Sequence, residues 1–561
     1  MNNDINSIED IEKTDLWNLY QRGVDYNKLV QLYQKTNKCW RYYHGDQWKG
    51  LKSGNIEPVT YPIIEPIVNY KVATINQNLW GINYSSENFD DIETREIYTK
   101  ACELLNKRVA RLWERDQMDY KVRLTSRDSA VVSEGVVYVK YDDETQDPTN
   151  ELLDNTDICY GNENSSDIQS QPYIIVKIRR PVSEIRKMAQ ELGVENEKLE
   201  YIVADQEFNE QAGDASIREV NDQTLLLIKM YKKDGTVHFD MATQFVDIQK
   251  DKDTGLKLYP LAHMVWKEVK GYSRGVGEVE YTIPIQDEIN KTLMRRCLIV
   301  KMFAYPKAIV NSKMIKNYRD ADKVGVTLRV EDNTVEDVKK AFTYTTPSNM
   351  ASDVNQLQDE MITKTRELKN ASELATGNVN PENASGRAIL AVQQASNLPL
   401  NEHILAVKTF IEDLGRIYLD MWTTYAEDGL RMIDKEKDKT TGKEKDIVAN
   451  IAQSVLEQLK ASCKVDITPK SPYDKMAVEQ SLENLLKAGL IDFEEYTNAL
   501  DDDSVMPKQK LLDIIKSREE KMKQIQQDKL QANQMINKAN NVINAANALE
   551  QTNMVNQATP M

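Results

Sequence analysis

The glycine-rich stretch between Gly271 and Gly277 has the layout of a site that could bind phosphate. In "WKEVKGYSRGVGEVEY" a predicted strand, a glycine turn and a predicted helix follow one another, as in loops that hold a phosphate at a helix N-terminus. A Walker loop needs lysine after its last glycine, where Glu278 stands, and a dinucleotide loop needs glycine where Glu280 stands. Two carboxylates suit a helix N-terminus but repel phosphate. A flexible strand-to-helix joint is therefore favoured, and a nucleotide-dependent enzyme using residues 271–277 stays as an alternative.

Other candidate chemistry is weaker still. The acidic runs "DDD" at 501–503 and "DDE" at 142–144 are contiguous, so their carboxylates cannot all converge on one cation. Ser385 lacks the G-x-S-x-G turn of a nucleophile, and no histidine lies near it in the sequence. The five cysteines and four histidines are scattered, without metal-ligand spacing. We predict no catalytic residues, no metal site, no cofactor and no enzymatic activity.

Length and charge restrict the class of protein. A chain of 561 residues exceeds one ordinary core, so two to four substructures are expected. The net charge of −17 argues against a conventional nucleic-acid binder, because such proteins use basic surfaces to displace phosphate counterions. The N-terminus does not resemble a signal peptide, and no apolar run approaches the roughly 18 residues of a membrane helix. We therefore expect no membrane association.

The elements that position these residues follow from periodicity. Helical patterns dominate the N-terminal region, one of them from about Asn69 to Trp80, and alternating patterns make residues 135–270 rich in β-strand. Within that region "KKDGTV" predicts a hairpin turn, and the polar stretch 142–170 predicts an exposed loop. After the glycines, residues 278–303 predict a long helix in spite of Pro284. The fold class is α+β, mainly helical.

The order of these parts resembles that of the portal protein of tailed bacteriophages. "YYHGDQW" resembles the signature Y-x-x-G-x-Q-W of such proteins, "SGRAIL" resembles the element after their tunnel loop, and "LKAGLIDFEEYTNAL" is similar to a helical segment before their crown. The resemblance implies the portal fold with wing, stem, clip and crown. Its predicted regions are N-terminal helices and β-rich wing (1–276), first stem helix (277–303), clip (304–349), second stem helix (350–375), tunnel loop (376–388), helical spine and return to the wing (389–470), and helical crown with an amide-rich tail (471–561).

The same resemblance implies a function and partners. The chain would form a homo-oligomeric ring, normally a dodecamer, at one vertex of the virion capsid, after assembly in the host bacterial cytoplasm. Double-stranded DNA would be packaged and ejected through its channel. The terminase large subunit, head-completion or adaptor proteins, and the major capsid and scaffolding proteins would be its partners. A structural virion component without a channel is a further alternative.

Four groups of residues are assigned roles by this resemblance. Tyr42, Tyr43 and Trp48 would pack the N-terminal helices onto the wing rather than form a ligand site. The cations on the stem helices would line the channel or form ion pairs between subunits: Arg295, Arg296, Lys301, Lys364, Arg366 and Lys369. The tunnel loop would be formed by Thr376, Gly377, Asn378, Asn380, Glu382, Asn383 and Gly386, with an ordinary helix–helix turn as the alternative. The clip would dock partners, or present a solvated face, through Lys307, Lys313, Lys316 and Arg319.

Overall fold

Helices and short antiparallel sheets alternate along the chain in the computed structural model, which is about half helical. This agrees with the predicted α+β class. Two units, Met1–Thr468 and Pro469–Met561, are each described by themselves below. The structure describes residues 12–49, 57–77, 79–86, 92–204, 222–303, 308–320, 323, 325–330, 341–344, 352–371, 398–437, 444–459, 461–468, 481–500 and isolated positions between 510 and 525.

Five helices make up the N-terminal part: α1 (Asp15–Leu29), α2 (Leu32–Tyr43), α3 (Ile64–Ile75), α4 (Ile92–Arg115) and α5 (Met118–Val132). Thr14 caps the start of α1, because its hydroxyl oxygen accepts a hydrogen bond from the Trp17 amide over 3.2 Å. Gln31, with φ of +58°, separates α1 from α2. The predicted helix from Asn69 to Trp80 is wrong at its end, because α3 stops at Ile75 and a strand follows.

Two antiparallel sheets form the β-rich region. One has the order β4–β5–β6–β7–β8 and the other the order β3–β2–β9. The polar stretch 142–170, predicted as a loop, contains two of these strands, because cross-strand pairing overrides its low β-propensity. The strands are β2 (Glu134–Asp142), β3 (Asp147–Leu153), β4 (Ile158–Tyr160), β5 (Tyr173–Pro181), β6 (Gln223–Lys233), β7 (Thr236–Ala242), β8 (Asp247–Asp253) and β9 (Leu261–Val265), with the helices α6 (Val182–Glu191) and α7 (Asn196–Leu199) after β5.

The hairpin between β6 and β7 is confirmed as predicted. Its two-residue loop is Asp234 and Gly235, with φ of +53° and +92°. Two successive positive φ values match the twist of antiparallel strands, and Asp-Gly adopts them readily.

A long-range strand pair connects the two ends of the first unit. Strand β1 (Leu79–Ser86) pairs antiparallel with β14 (Ala461–Thr468), which places Trp80 opposite Ile467. A pairing partner almost four hundred residues away leaves no local signal. The local pattern around Trp80 therefore does not indicate a strand.

After the glycines the chain forms α8 (Glu278–Phe303), which confirms the predicted helix of 278–303. The insert that follows returns on itself through the antiparallel pair β10 (Ala308–Val310) and β11 (Phe342–Tyr344). Between these two strands, the described residues of the insert form an isolated bridge between Ile315 and Val330. The remaining elements of this unit are α9 (Ser352–Leu368), α10 (Asn401–Tyr425), β12 (Leu430–Lys437), β13 (Glu444–Ile451), α11 (Gln453–Gln458) and β14.

Helix α10 provides the central column of the core. Phe410, Leu414, Tyr418 and Trp422 recur about every four residues on one face and are 0–1% exposed. They pack within the cluster that also holds the buried residues of β1, β2 and β9. Burial of this stripe packs α10 against β9, β2 and β1.

The second unit is described only in part. Residues 481–487 are helical, Gly489 turns the chain with φ of +68°, and α12 (Phe493–Ala499) follows. Asp492 and Glu495 form a reciprocal capping box at the start of α12. These elements coincide with the helical segment predicted from "LKAGLIDFEEYTNAL".

Candidate functional site

Helices α8 and α9, which flank the insert, lie side by side and run antiparallel. Glu278, the first residue of α8, pairs with Lys369, which follows the last residue of α9, over 2.9 Å. Further along, Arg296 on α8 donates a hydrogen bond to the side-chain oxygen of Gln358 on α9. The insert between the two helices is closed at its base by β10 and β11. The geometry is thus a helix pair with an excursion at one end.

The first half of α8 is embedded in the protein body and the second half is more exposed. Positions 278–292 include many fully buried residues, whereas positions 293–301 are half-buried or exposed. The buried half carries a row of polar residues at four-residue spacing, one per helical turn. These residues are Glu278, Thr282, Gln286 and Asn290, at 0–8% exposure.

The polar row on α8 is satisfied by the N-terminal segment. The Gln286 side-chain oxygen accepts a hydrogen bond from the Ile63 amide over 3.0 Å, and its amide nitrogen donates to the Tyr61 carbonyl over 2.7 Å. The Asn290 side-chain oxygen accepts from the Tyr61 amide over 3.0 Å. Buried amides need such partners, so residues 61–63 and α8 depend on each other for their stability.

The stretch Arg41–Trp48, here called the N-terminal box, also binds α8. The Tyr42 hydroxyl donates to Asp287 over 2.5 Å, and Asn290 donates to the side-chain oxygen of Gln47. Burial and the neighbouring Asp287 carboxylate raise the pKa of Tyr42, so it remains a donor. Gly45, with φ of +84°, makes the turn that returns Gln47 to the helix.

The predicted packing role of the box is confirmed, although its partner differs from the prediction. Tyr42 and Tyr43 are buried, and the Tyr43 hydroxyl donates to Asn69 of α3 over 2.7 Å. The Trp48 indole donates to the Val59 carbonyl over 3.2 Å. Tyr42 contacts α8, the helix predicted to be the first stem helix.

The glycine joint is tightly packed, which corrects the prediction of a flexible joint. Gly275 has φ of +65°, and a side chain there would meet Val265 and the Lys267 carbonyl. A side chain at Gly277 would meet the backbone of Ala130, Val131 and Ser133 at 3.0 Å. Glycine is required at these positions for close approach of backbone to neighbouring elements.

Glu278 lies where a phosphate-binding loop would hold its anion. Its carboxylate pairs with Lys71 of α3 and with Lys369, both over 2.9 Å. Burial by itself would raise the pKa of Glu278, but Lys71 and Lys369 outweigh burial and hold it at about 2. A carboxylate that stays ionised at this helix N-terminus disfavours phosphate, so the geometry argues against the nucleotide-dependent alternative.

A second buried cluster lies on the other side of the joint, around Glu134 at the start of β2. Arg274 donates to the Glu134 carboxylate, and His263 and Tyr160 lie 2.9 and 3.0 Å from it. Burial alone would raise the pKa of Glu134, but Arg274 and His263 outweigh it and lower it. Arg274 also donates to the carbonyls of Asn155 and Ile158, each over 2.8 Å.

The predicted channel cations lie on α8, on α9 or just beyond α9, and all six have an interaction within this chain. Arg295 pairs with Glu288 over 3.2 Å, Lys301 with Glu57 over 3.1 Å, and Lys364 with Glu367 over 2.9 Å, all at exposed positions. Arg296 and Lys369 connect α8 to α9, as described above, and the Lys369 side chain is only 17% exposed. Arg366 is half-buried on α9. The structure places these six residues on one helix pair, and their assignment to a channel stays a prediction.

The other predicted site residues are described only in part. Lys313, Lys316 and Arg319 are exposed on the insert, and Arg319 lies 5.9 Å from the Tyr318 ring. Lys307 and the whole predicted tunnel loop, 376–388, lie outside the described residues. Their assignments remain predictions.

Sequence reasoning did not identify Lys71, Glu134 or Arg274, nor the polar row on α8. One signal was present for the row, because Thr282, Gln286 and Asn290 interrupt an apolar helix at regular four-residue steps. The pairing of Glu134 with Arg274 spans 140 positions and has no local signal. Within the described ranges, neither a group of three metal-ligating side chains nor a helix long and apolar enough to cross a membrane is present.

Comparison with known proteins identifies the family. The family model described as "Phage P22-like portal protein" matches residues 179–559, which include α8, the insert and α9. No curated protein matches the chain. The match covers more than half of the sequence and agrees with the order of parts described above. The chain therefore belongs to the phage P22-like portal protein family.

Proposed function

We propose that the chain assembles into a closed ring at one capsid vertex, through which double-stranded DNA is packaged and ejected. Family membership supports an oligomeric ring with DNA and a structural role rather than an enzymatic one. The observation that carries the proposal is the antiparallel pair α8–α9 around the insert, within the matched residues. In the ring these helices would wall the channel, and the number of subunits would be twelve.

The charge of the helix pair suits passage of DNA better than capture. The exposed cations Arg295, Lys301 and Lys364 each have a carboxylate partner within this chain. Each phosphate contact releases counterions and strengthens binding, so a channel with many free cations would retain the duplex. Neutralised cations on an acidic chain would centre DNA with little retention.

Exposed apolar residues on the same helices support contact between neighbouring copies. Leu357 and Leu368 of α9 are 51% and 76% exposed, and Val300 of α8 is 57% exposed. The two leucines lie about three helical turns apart and so share a face. A head-to-tail ring would bury this face against the next subunit.

Lys313, Lys316 and Arg319 support docking at the insert. Their exposed positive charge fits acidic surfaces of the terminase large subunit during packaging and of head-completion proteins afterwards. The major capsid and scaffolding proteins would contact the ring at the vertex. Virion localisation, after assembly in the host cytoplasm, follows from these roles.

Negative-stain imaging of the purified full-length protein tests the proposal. Rings with a central hole are the expected result, and solid or filamentous particles would overturn the channel function. The double variant Leu357→Glu/Leu368→Glu should abolish rings while circular dichroism shows a folded chain. Thr363→Glu, at an exposed position on another face of the same helix, is the matched control and should still form rings.

Shortening Thr376–Gly386 tests the predicted tunnel loop separately. Ring formation should be retained while DNA packaging or retention is impaired. Normal packaging and retention in this variant would refute the loop assignment without affecting the proposed ring.

A further inference from the structure

Glu278 is the meeting point of three parts of the fold. One carboxylate oxygen lies 2.9 Å from the ammonium of Lys71 on α3, and the other lies 2.9 Å from the ammonium of Lys369 after α9. The Trp266 indole, beyond β9, lies 3.4 Å from the first of these oxygens. Three residues from separate segments are thus bound to the start of α8.

Trp266 extends this contact to α10. Its indole stacks on the His403 imidazole with ring centres 4.1 Å apart and an interplanar angle of 14°. His403 Nδ1 also lies 2.9 Å from the Trp266 carbonyl and must donate to it. The end of α9 and the start of α10 are therefore attached to the same point on the body.

The two ion pairs of Glu278 differ in burial. The Lys71 side chain is 6% exposed, so its pair with Glu278 is enclosed by protein, whereas the Lys369 side chain is 17% exposed. Loss of Lys369 would leave a one-to-one pair of Lys71 with Glu278. Loss of Glu278 would leave two ammonium groups close together without their shared carboxylate, which is far less favourable.

The end of α9 has a defined geometry at this point. Asn370 adopts φ of +56°, and the Ala371 amide donates to the Arg366 carbonyl over 2.9 Å, which ends the helix. Lys369 therefore lies at the point where α9 ends, next to Glu278. Because β10 and β11 join the opposite ends of the helices, the Lys369–Glu278 pair closes the open end of the α8–α9 pair.

We propose that the Glu278–Lys369 pair is a releasable latch between α9 and α8, and that the Glu278–Lys71 pair is the fixed attachment of α8 to the body. Opening the first contact frees the C-terminal end of α9 while α8 keeps its position on α3. The latch depends on the contacts around Glu278 and not on the proposed channel, so the two can fail independently.

Hydrogen exchange measured by mass spectrometry on the full-length protein tests the latch. In Lys369→Met, amides of residues 361–371 should exchange at least about tenfold faster, while those of 278–290 keep the wild-type rate. In Lys71→Met, exchange should rise in 278–290. The control is Lys364→Met, which removes the exposed ion pair of Lys364 with Glu367 on α9. Hydrogen exchange should change in neither region in this variant.

Two results would overturn the latch. One is unchanged exchange in 361–371 for Lys369→Met, and the other is an equal increase in both regions for that variant. Glu278→Gln should raise exchange in both regions. If Glu278→Gln does not fold, the two lysine variants still decide the question, because each leaves one complete pair.

Discussion

Two buried glutamates lie on either side of the glycine joint, and they are held in different ways. The Glu134 side chain has no exposed surface, and its partners Arg274, His263 and Tyr160 all belong to the β-rich body or to the joint itself. The Glu278 side chain is 10% exposed and is bound by two lysines from separate segments, Lys71 on α3 and Lys369 just after α9. The first cluster is internal to one body, and the second connects several elements.

The choice of cation matches this difference. Arg274 uses a planar guanidinium to bind the Glu134 carboxylate and two backbone carbonyls at once, and it also pairs with Glu163 over 3.6 Å. Lys71 and Lys369 bind Glu278 as separate point charges, and either can leave while the other stays. We infer that the body side of the joint is built for rigidity and that the helix side allows adjustment.

The largest effect is expected for Arg274→Ala, which tests the rigidity of the body. It would leave Glu134 buried without its main partner, at a cost of about 3–5 kcal/mol in the free energy of unfolding. Denaturant unfolding should show this loss. Arg295→Ala, at an exposed pair, is the control and should cost less than about 1 kcal/mol. A loss as small as that of the control would contradict the contrast drawn between the two clusters.

The next effect concerns acid stability and the Glu278 cluster. Because the pKa of Glu278 is lowered from 4.5 to about 2 in the folded chain, its ionised form contributes about 3 kcal/mol above pH 4.5. That contribution is lost as the pH falls from about 4.5 through about 2. The stability difference between wild type and Glu278→Gln, measured by denaturant unfolding, should shrink over this interval. If the stability difference between wild type and Glu278→Gln does not change with pH, Glu278 is not ionised in this cluster.

A smaller effect should follow from Tyr42→Phe, which removes the hydrogen bond to Asp287 and keeps the buried ring. We expect a loss of about 1–2 kcal/mol, because the acceptor is a carboxylate. Faster hydrogen exchange in α2 and in the first half of α8 should accompany it. Tyr120→Phe is the control, since that side chain is 60% exposed. Equal destabilisation by both variants would show that α2 is not held through this bond.

The smallest effect is expected for Lys301→Gln, at the exposed end of α8. Its pair with Glu57 is 66% and 78% exposed, so the change should cost less than about 1 kcal/mol and disappear at high salt. Thermal melting at two salt concentrations measures it. A larger, salt-independent loss would mean that the protruding half of α8 is held as firmly as the embedded half.

Local patterns predicted those elements whose stabilising contacts are local. The periodicity of residues 278–303 predicted a helix, and the dipeptide Asp234-Gly235 predicted a tight hairpin turn. The structure confirms both. Strand β1 was missed because it pairs with β14, almost four hundred residues away. Strands β3 and β4 pair with their chain neighbours β2 and β5, and they were missed because their polar sequence has low β-propensity. The same reason explains the candidate site, where the position of Glu278 at a helix start was visible but Lys71 and Lys369 were not.

The family resemblance supplied what local patterns could not. The order of helix, insert and helix indicated that α8 and α9 belong together, and the structure places them in contact. It did not indicate that the exposed cations of this pair have carboxylate partners in the same chain. The ion pair of Lys301 with Glu57 joins residues 244 positions apart, and such a long-range pair cannot be predicted from a single sequence.

The contacts between the N-terminal segment and α8 bear on how the protein can be divided for experiments. The family match begins at residue 179, yet the buried amides of Gln286 and Asn290 find partners at Gln47, Tyr61 and Ile63. A fragment cut at the start of the match would leave these groups unsatisfied in an apolar setting. Expression boundaries taken from the match would therefore yield an aggregating product, and a usable fragment has to retain the first two helices and the turn that follows them.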